Sequence, residues 1–204
     1  IRVDGRLWYA STSDLYESSI NLTVHRARAN AAASDRDEAQ RLPDPDNAEP
    51  VDDFLHPDLA GSFLEVKTDL VRDLARLTVS LDPHVKAIDT AEYHDEQRTV
   101  AIASTRGVGV VHQSGHVELW TDALGEVDEF RAGDYAYQLG RAPELLDPEA
   151  LARKSVDRTV RLLSPTTSGP MGVPVILDPY VVSEIVAAVG KGPRGGQVSE
   201  GRSH

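Results

Sequence analysis

The sequence predicts an α+β fold, an antiparallel meander sheet packed against long amphipathic helices and followed by a helix-strand-helix segment. Three observations predict it. Phe63, Val66, Leu70, Leu74, Leu77 and Leu81 recur at helical spacing, so they share one face of a helix. Between residues 84 and 138 the chain breaks into five short runs rich in Val, Ile, Thr and aromatics, divided by Gly, Asp and Ser. Several strands in succession favour antiparallel pairing, with helices covering one face. Beyond them, Asp147-Pro148 and Asp178-Pro179 each read as a helix N-cap followed by proline at the first helical position, where its missing N–H costs nothing.

Taken in order, residues 3–10 can form a strand, with Gly5 at a turn, and Ser11-Thr12-Ser13-Asp14 supplies N-cap candidates for the next helix. There Tyr16, Ile20, Val24, Ala27 and Ala31 form a stripe, while His25, Arg26 and Arg28 fall off it and face water. Residues 35–53 have no usable period and contain Pro43, Pro45 and Pro50, the marks of a surface loop. The helix that follows runs for about five turns, weakened only in its first turn by Gly61 and stopped by Asp82-Pro83.

The predicted strands cover 85–93, 99–105, 109–113, 117–122 and 129–137, with His94-Asp95-Glu96 as a polar turn and Arg106-Gly107-Val108-Gly109 as a β-turn. No helix pattern follows that Gly pair, which removes the dipole a phosphate loop needs. In the helix after Asp147, Leu151, Ser155, Thr159 and Leu162 share a side, with Ala152, Val156 and Leu163 beside them. Residues 173–177 read as a short buried strand ahead of a helix carrying Val182, Ile185, Val186 and Val189. The expected organisation is residues 1–56 with an acidic loop over 34–58, an α+β domain over 57–190, and a polar Gly-rich tail over 191–204.

Composition excludes several classes. With 21 Lys+Arg against 33 Asp+Glu, a net charge of −12, the chain lacks the basic face that phosphate neutralisation needs. Residues 34–58 alone hold nine carboxylates against Arg36 and Arg41, a solvated stretch. They do not make a calcium loop, because Asp44-Pro45-Asp46-Asn47 lacks the central Gly of that motif. No apolar run approaches the roughly 20 residues of a membrane span. The absence of Cys removes disulfides and thiolate metal sites together, and nothing at the start reads as a secretory leader. A cytoplasmic location is the expectation.

Candidate chemistry is sparse. There is no G-x-S-x-G elbow and no thiol nucleophile. His112 and His116 have the spacing of helical zinc ligands, yet they flank Ser114-Gly115 between two strand-like runs. At a hairpin tip they are a weak metal pair with no Glu beside them. Gly133-Asp134-Tyr135-Ala136-Tyr137 is more distinctive. On a strand, Tyr135 and Tyr137 face one side and can pack on a helix, while Asp134 faces the other and can pair with Arg141 or accept from a nearby backbone N–H.

The run Asp134-Tyr135-Ala136-Tyr137 with Gly140-Arg141, followed by Ala152-Arg153 and Arg161-Leu162-Leu163-Ser164-Pro165, resembles the TldD/PmbA family, and within it the PmbA (TldE) branch. The resemblance implies a subunit of a two-component cytoplasmic metallopeptidase that handles unfolded or short peptides. In the TldD branch the helix after a P-V-V-L strand carries H-E-x-x-x-H. At the matching place this chain has Glu184 and no His.

The chain is therefore expected to hold no metal or catalytic residue of its own and to pair with a zinc-bearing TldD-like subunit or a second copy. The roles of Asp134, Tyr135, Tyr137 and Arg141 stay unassigned. Two alternatives are a self-sufficient metallopeptidase using His112 and His116, and a non-enzymatic modulator contacting its target through residues 35–58. The resemblance also implies a partial length, since Glu200-Gly201-Arg202-Ser203-His204 looks like the threshold of the family's C-terminal domain.

Overall fold

The computed structural model describes residues 1–37, 41–45, 55–59, 61–167 and 169–191. Residues 38–40 and 46–54 of the predicted acidic loop and all of the tail past Lys191 lie outside the described residues. In chain order the elements are β1 (Arg2–Val3), β2 (Arg6–Leu7), α1 (Glu17–Ala33), α2 (Leu64–Ser80), β3 (Val85–Ala103), β4 (Gly109–Val127), β5 (Phe130–Gly140), α3 (Pro148–Leu162) and α4 (Pro179–Val189). They fall into two compact units, one of Ile1–Asp44 with Gly169–His204, the other of Pro45–Ser168.

In the first unit, the strand expected over 3–10 is a small hairpin, β1 paired with β2. Asp4 and Gly5 make its turn with φ of 50° and 78°, the left-handed region that suits Gly. None of the expected candidates caps α1, whose N-cap is Tyr16 without a side-chain bond, but Asp14 braces that start by accepting from the Tyr16 N–H at 3.0 Å and the Ser19 hydroxyl at 2.6 Å. Of the predicted α1 stripe only Ala27 and Ala31 are buried, and Tyr16, Ile20 and Val24 are exposed.

Asp178 caps α4 as expected, accepting from the Tyr180 N–H at 2.9 Å. Residues 173–177, however, form no strand, and Ile176 is 99% exposed. Strand backbone needs a neighbour for its N–H and C=O groups, and no described strand pairs with this segment.

The second unit holds the predicted meander, an antiparallel sheet of order β3-β4-β5. It has three long strands where five short ones were expected. His94-Asp95-Glu96 is not a turn but the middle of β3, in register with Glu118, Val117 and His116 of β4 in that order. Ser114-Gly115 is likewise within β4, opposite Arg98 and Gln97, so His112 and His116 do not sit at a hairpin tip. Polar residues do not break a strand when alternation puts them on its solvated face. Gly115 serves close packing instead: an added Cβ would lie 2.5 Å from Leu59 Cδ2 and 2.9 Å from Leu55 Cδ1.

The reversal comes at Ser104–Val108, where the Ser104 N–H donates to the Val108 carbonyl and Gly107 takes φ of 93°. Arg106-Gly107 is thus part of the expected turn. Register shifts near Val85 and Ile88 mark bulges that bend the start of β3.

The helices α2 and α3 cover one face of this sheet. Leu74 from α2 and Leu151 and Ala152 from α3 meet Val117 and Leu119 of β4 and Ala136 of β5. Each fully buried Leu contributes roughly 1.5–3 kcal/mol. A second cluster joins Val85, Ala123 and Val156. The α2 stripe is used from Leu70 onward, while Phe63 and Val66 stay exposed. In α3, Leu163 rather than Leu162 completes the buried side.

Candidate functional site

The site is built on β5. Alternation along the strand turns Ala136 and Asp134 toward the helices and sends Tyr135 and Tyr137 to the opposite, uncovered face. Asp134 is held from several directions. Arg158 of α3 reaches it with Nε at 3.0 Å from Oδ2 and Nη2 at 3.3 Å from Oδ1. The Tyr135 N–H donates to Oδ1 at 2.8 Å. The Asp134 carbonyl accepts from Ser155 Oγ at 3.1 Å, and the Asp134 N–H donates to Thr159 Oγ1 at 3.1 Å. The Thr159 hydroxyl also stands 3.2 Å from the Ala123 carbonyl, so this one side chain ties α3 to both β4 and β5.

Two expectations are corrected here. The cation paired with Asp134 is Arg158 and not Arg141, because Arg141 lies beyond the end of β5 at an exposed position while α3 packs directly on Asp134. The phenols of Tyr135 and Tyr137 do not pack on a helix, since their parity sends them away from both. They stack on Trp120 of β4, with ring centroids at 4.5 Å and 5.9 Å and planes within 8° and 9°. Trp120 is directly opposite Tyr137 in the register.

Around Trp120 the uncovered face is acidic. Glu92 of β3 is its other cross-strand neighbour, and Glu118 and Asp122 flank it along β4. Burial, with the Asp89 and Asp134 charges behind it, raises the Asp122 carboxyl above its ordinary value. Farther along, His94 and His116 approach with ring centroids 6.2 Å apart.

On the covered side a cleft of about 510 Å³ opens between α2 and β3, lined by Leu64, Lys67, Val71, Tyr93, His94 and Asp95. There Lys67 pairs with Asp95 and lies over the Tyr93 ring, 5.7 Å from its centroid. Burial, and then the Asp95 charge, pushes the Tyr93 phenol well above its ordinary value and keeps it neutral. This ion pair is consumed by its own partners and offers no reactive group.

The described residues do not fit a resident zinc ion. His112 and His116 occupy one extended strand, and four residues there span about 13 Å. Zinc–nitrogen bonds are about 2 Å long, so one ion cannot join both rings. Among the described residues no three His, Cys, Asp or Glu side chains converge as a metal site.

Residues 57–163, from just before α2 to the end of α3, match the PmbA/TldA metallopeptidase central domain. That is just over half of the 204 residues. The chain belongs to the PmbA/TldD family.

Its relatives agree. The Metalloprotease PmbA homolog of Haemophilus influenzae is 25% identical over 193 residues, covering 90% of this chain and 42% of that protein. A protein described as a modulator of a DNA gyrase from Thermotoga maritima superposes with a TM-score of 0.70 at 18% identity, over 82% of this chain and 37% of its own. One from Bacteroides thetaiotaomicron reaches 0.73 at 19%, over 81% and 39%. TldE from Thermococcus kodakarensis reaches 0.67 at 15%, over 77% and 35%. At such identities the superpositions speak for the fold. This PmbA/TldD-family chain spans less than half the length of the relatives it matches. Among its described residues no helix is long and apolar enough to cross a membrane.

Trp120 and Arg158 were not singled out from sequence. Alternation about the Val117-Leu119-Thr121 run would have put Trp120 on the uncovered face. Nothing local announces that α3 returns to β5 and brings Arg158 onto Asp134.

Proposed function

We propose that this chain is a PmbA/TldE-like subunit, without a metal motif of its own, of a cytoplasmic heteromeric metallopeptidase. Its role is to hold unfolded or short peptides while cleavage takes place at the zinc of a TldD-like partner. The observation that carries this reading is α4. Over Pro179–Val189 it offers one carboxylate, Glu184, and no imidazole, where the resemblance places the H-E-x-x-x-H of the metal-bearing branch. A catalytic zinc needs three protein ligands, and a lone Glu on a helix provides at most one.

Support also comes from the family match over residues 57–163 and from the names of the relatives, a metalloprotease PmbA homolog and a TldE. The self-sufficient alternative would need His112 and His116 on one metal, against their separation along β4. The modulator alternative would rest on the acidic stretch 34–58, of which residues 38–40 and 46–54 lie outside the described residues.

The test is metal content and peptide hydrolysis, measured on this chain alone and mixed with a TldD-like partner. Zinc and cleavage are expected only in the mixture. One equivalent of zinc and cleavage by this chain alone would overturn the reading and return attention to His112 and His116.

A further inference from the structure

The three-ring stack on the uncovered sheet face is not needed to close the core. Trp120 and its partners stand opposite Val117, Leu119 and Ala136, which already fill the space beneath α2 and α3. Directly opposite strand neighbours bring their Cβ atoms to about 5 Å, and diagonal ones to about 7–8 Å. Among these described strand neighbours Trp120 has Glu92, Glu118 and Asp122 but no Lys or Arg, with His94 on the diagonal. Within β5, Arg131 is already paired with Glu126 at 3.2 Å. Flat electron-rich rings bordered by carboxylates attract a guanidinium or ammonium twice, through the ring faces and through the charges. An acidic or apolar ligand gains neither.

We propose that the Trp120-Tyr135-Tyr137 stack, with Glu92, Glu118 and Asp122, is a recognition site for Arg or Lys side chains of an extended peptide. This rests on the reading of the chain as a peptide-holding subunit and gives that role a chemical preference. The Asp122 carboxylate, partly stripped of water and repelled by Asp89 and Asp134, regains a counter-charge when the cation arrives. The face lies on the same strand as the Asp134 anchor, so the grip that α3 keeps on β5 also fixes the rings that receive the peptide.

The experiment titrates the chain with two unstructured peptides of equal length, one rich in Arg and Lys and one rich in Glu. It follows Trp120 fluorescence in a Trp8→Phe background and repeats the binding by calorimetry. The Arg/Lys peptide should bind and the Glu peptide should not. Replacing the acids together, Glu92→Gln with Glu118→Gln and Asp122→Asn, should weaken binding roughly tenfold and flatten its dependence on salt. These isosteric changes leave the core untouched, and circular dichroism checks that the fold survives. Equal binding of both peptides, or a triple variant that binds as the parent does, overturns the cation site while leaving the peptide-holding role standing. Binding of neither peptide overturns both.

Discussion

Arg158 of α3 and Asp134 of β5 form a two-point ion pair, Nε to Oδ2 at 3.0 Å and Nη2 to Oδ1 at 3.3 Å, with both side chains about four-fifths buried. Its partners have left most of their water, so removing one strands the other. Asp134→Ala and Arg158→Ala should each destabilise the fold by roughly 1–3 kcal/mol, less than for a fully buried pair. The double variant should lose clearly less than the two losses added. Urea unfolding of all four proteins measures this, and strict additivity would mean the pair is not coupled.

Thr159 ties two strand residues, Ala123 of β4 and Asp134 of β5, with one hydroxyl. Thr159→Val keeps the volume but leaves the Asp134 N–H and the Ala123 carbonyl without that partner, at a cost of about 1–2 kcal/mol. Hydrogen exchange should speed up at the Asp134 amide before it does in β3. Unchanged protection there would remove Thr159 from the anchor.

Gly115 and Gly109 stand on the same strand in opposite surroundings. An added Cβ at Gly115 would lie 2.5 Å from Leu59 Cδ2 and 3.1 Å from the Glu96 carbonyl, and a backbone oxygen cannot step aside. At Gly109 nothing lies within 4 Å. Gly115→Ala should therefore cost about 1–3 kcal/mol, and Gly109→Ala should be neutral or slightly stabilising. Thermal melts of the two variants decide it, and equal melting temperatures would contradict the packing.

Asp122 gives a pH test with a definite sign. Its carboxyl is raised in the folded state, mainly by burial, so the folded chain binds its proton more tightly than the unfolded chain does. Stability from this group falls as pH rises from the unfolded value of 3.8 through the folded one, and the penalty is full above that. Asp122→Asn should stabilise the protein at pH 7, by less than about 1 kcal/mol at this exposure, and the gain should vanish below pH 3.8. A variant that is less stable at pH 7 would show that the carboxylate is paired. The same change should weaken cationic peptide binding, a gain in stability set against function.

The α+β class, α2, α3 and the Asp-Pro helix starts were legible because they rest on local physics. Helical periodicity places Leu74, Leu151 and Val156, and capping places Asp147 and Asp178. Strand lengths were not. His94-Asp95-Glu96 and Ser114-Gly115 look like turns when only neighbours in the chain are weighed. Once β3 and β4 pair, His94, Glu96 and Ser114 fall on the uncovered face, Asp95 meets Lys67 of α2, and Gly115 makes room for Leu55 and Leu59.

The segment 173–177 shows the reverse case, apolar enough for a strand yet without a strand beside it among the described residues. What the sequence determined by itself was period, capping and the family motif, all set by interactions within a few residues along the chain. What only the tertiary structure decided was which side chains meet: Arg158 with Asp134, and Trp120 with Tyr135 and Tyr137. Those meetings depend on strand register and helix return across about 20 residues, and no local preference encodes contacts at that separation.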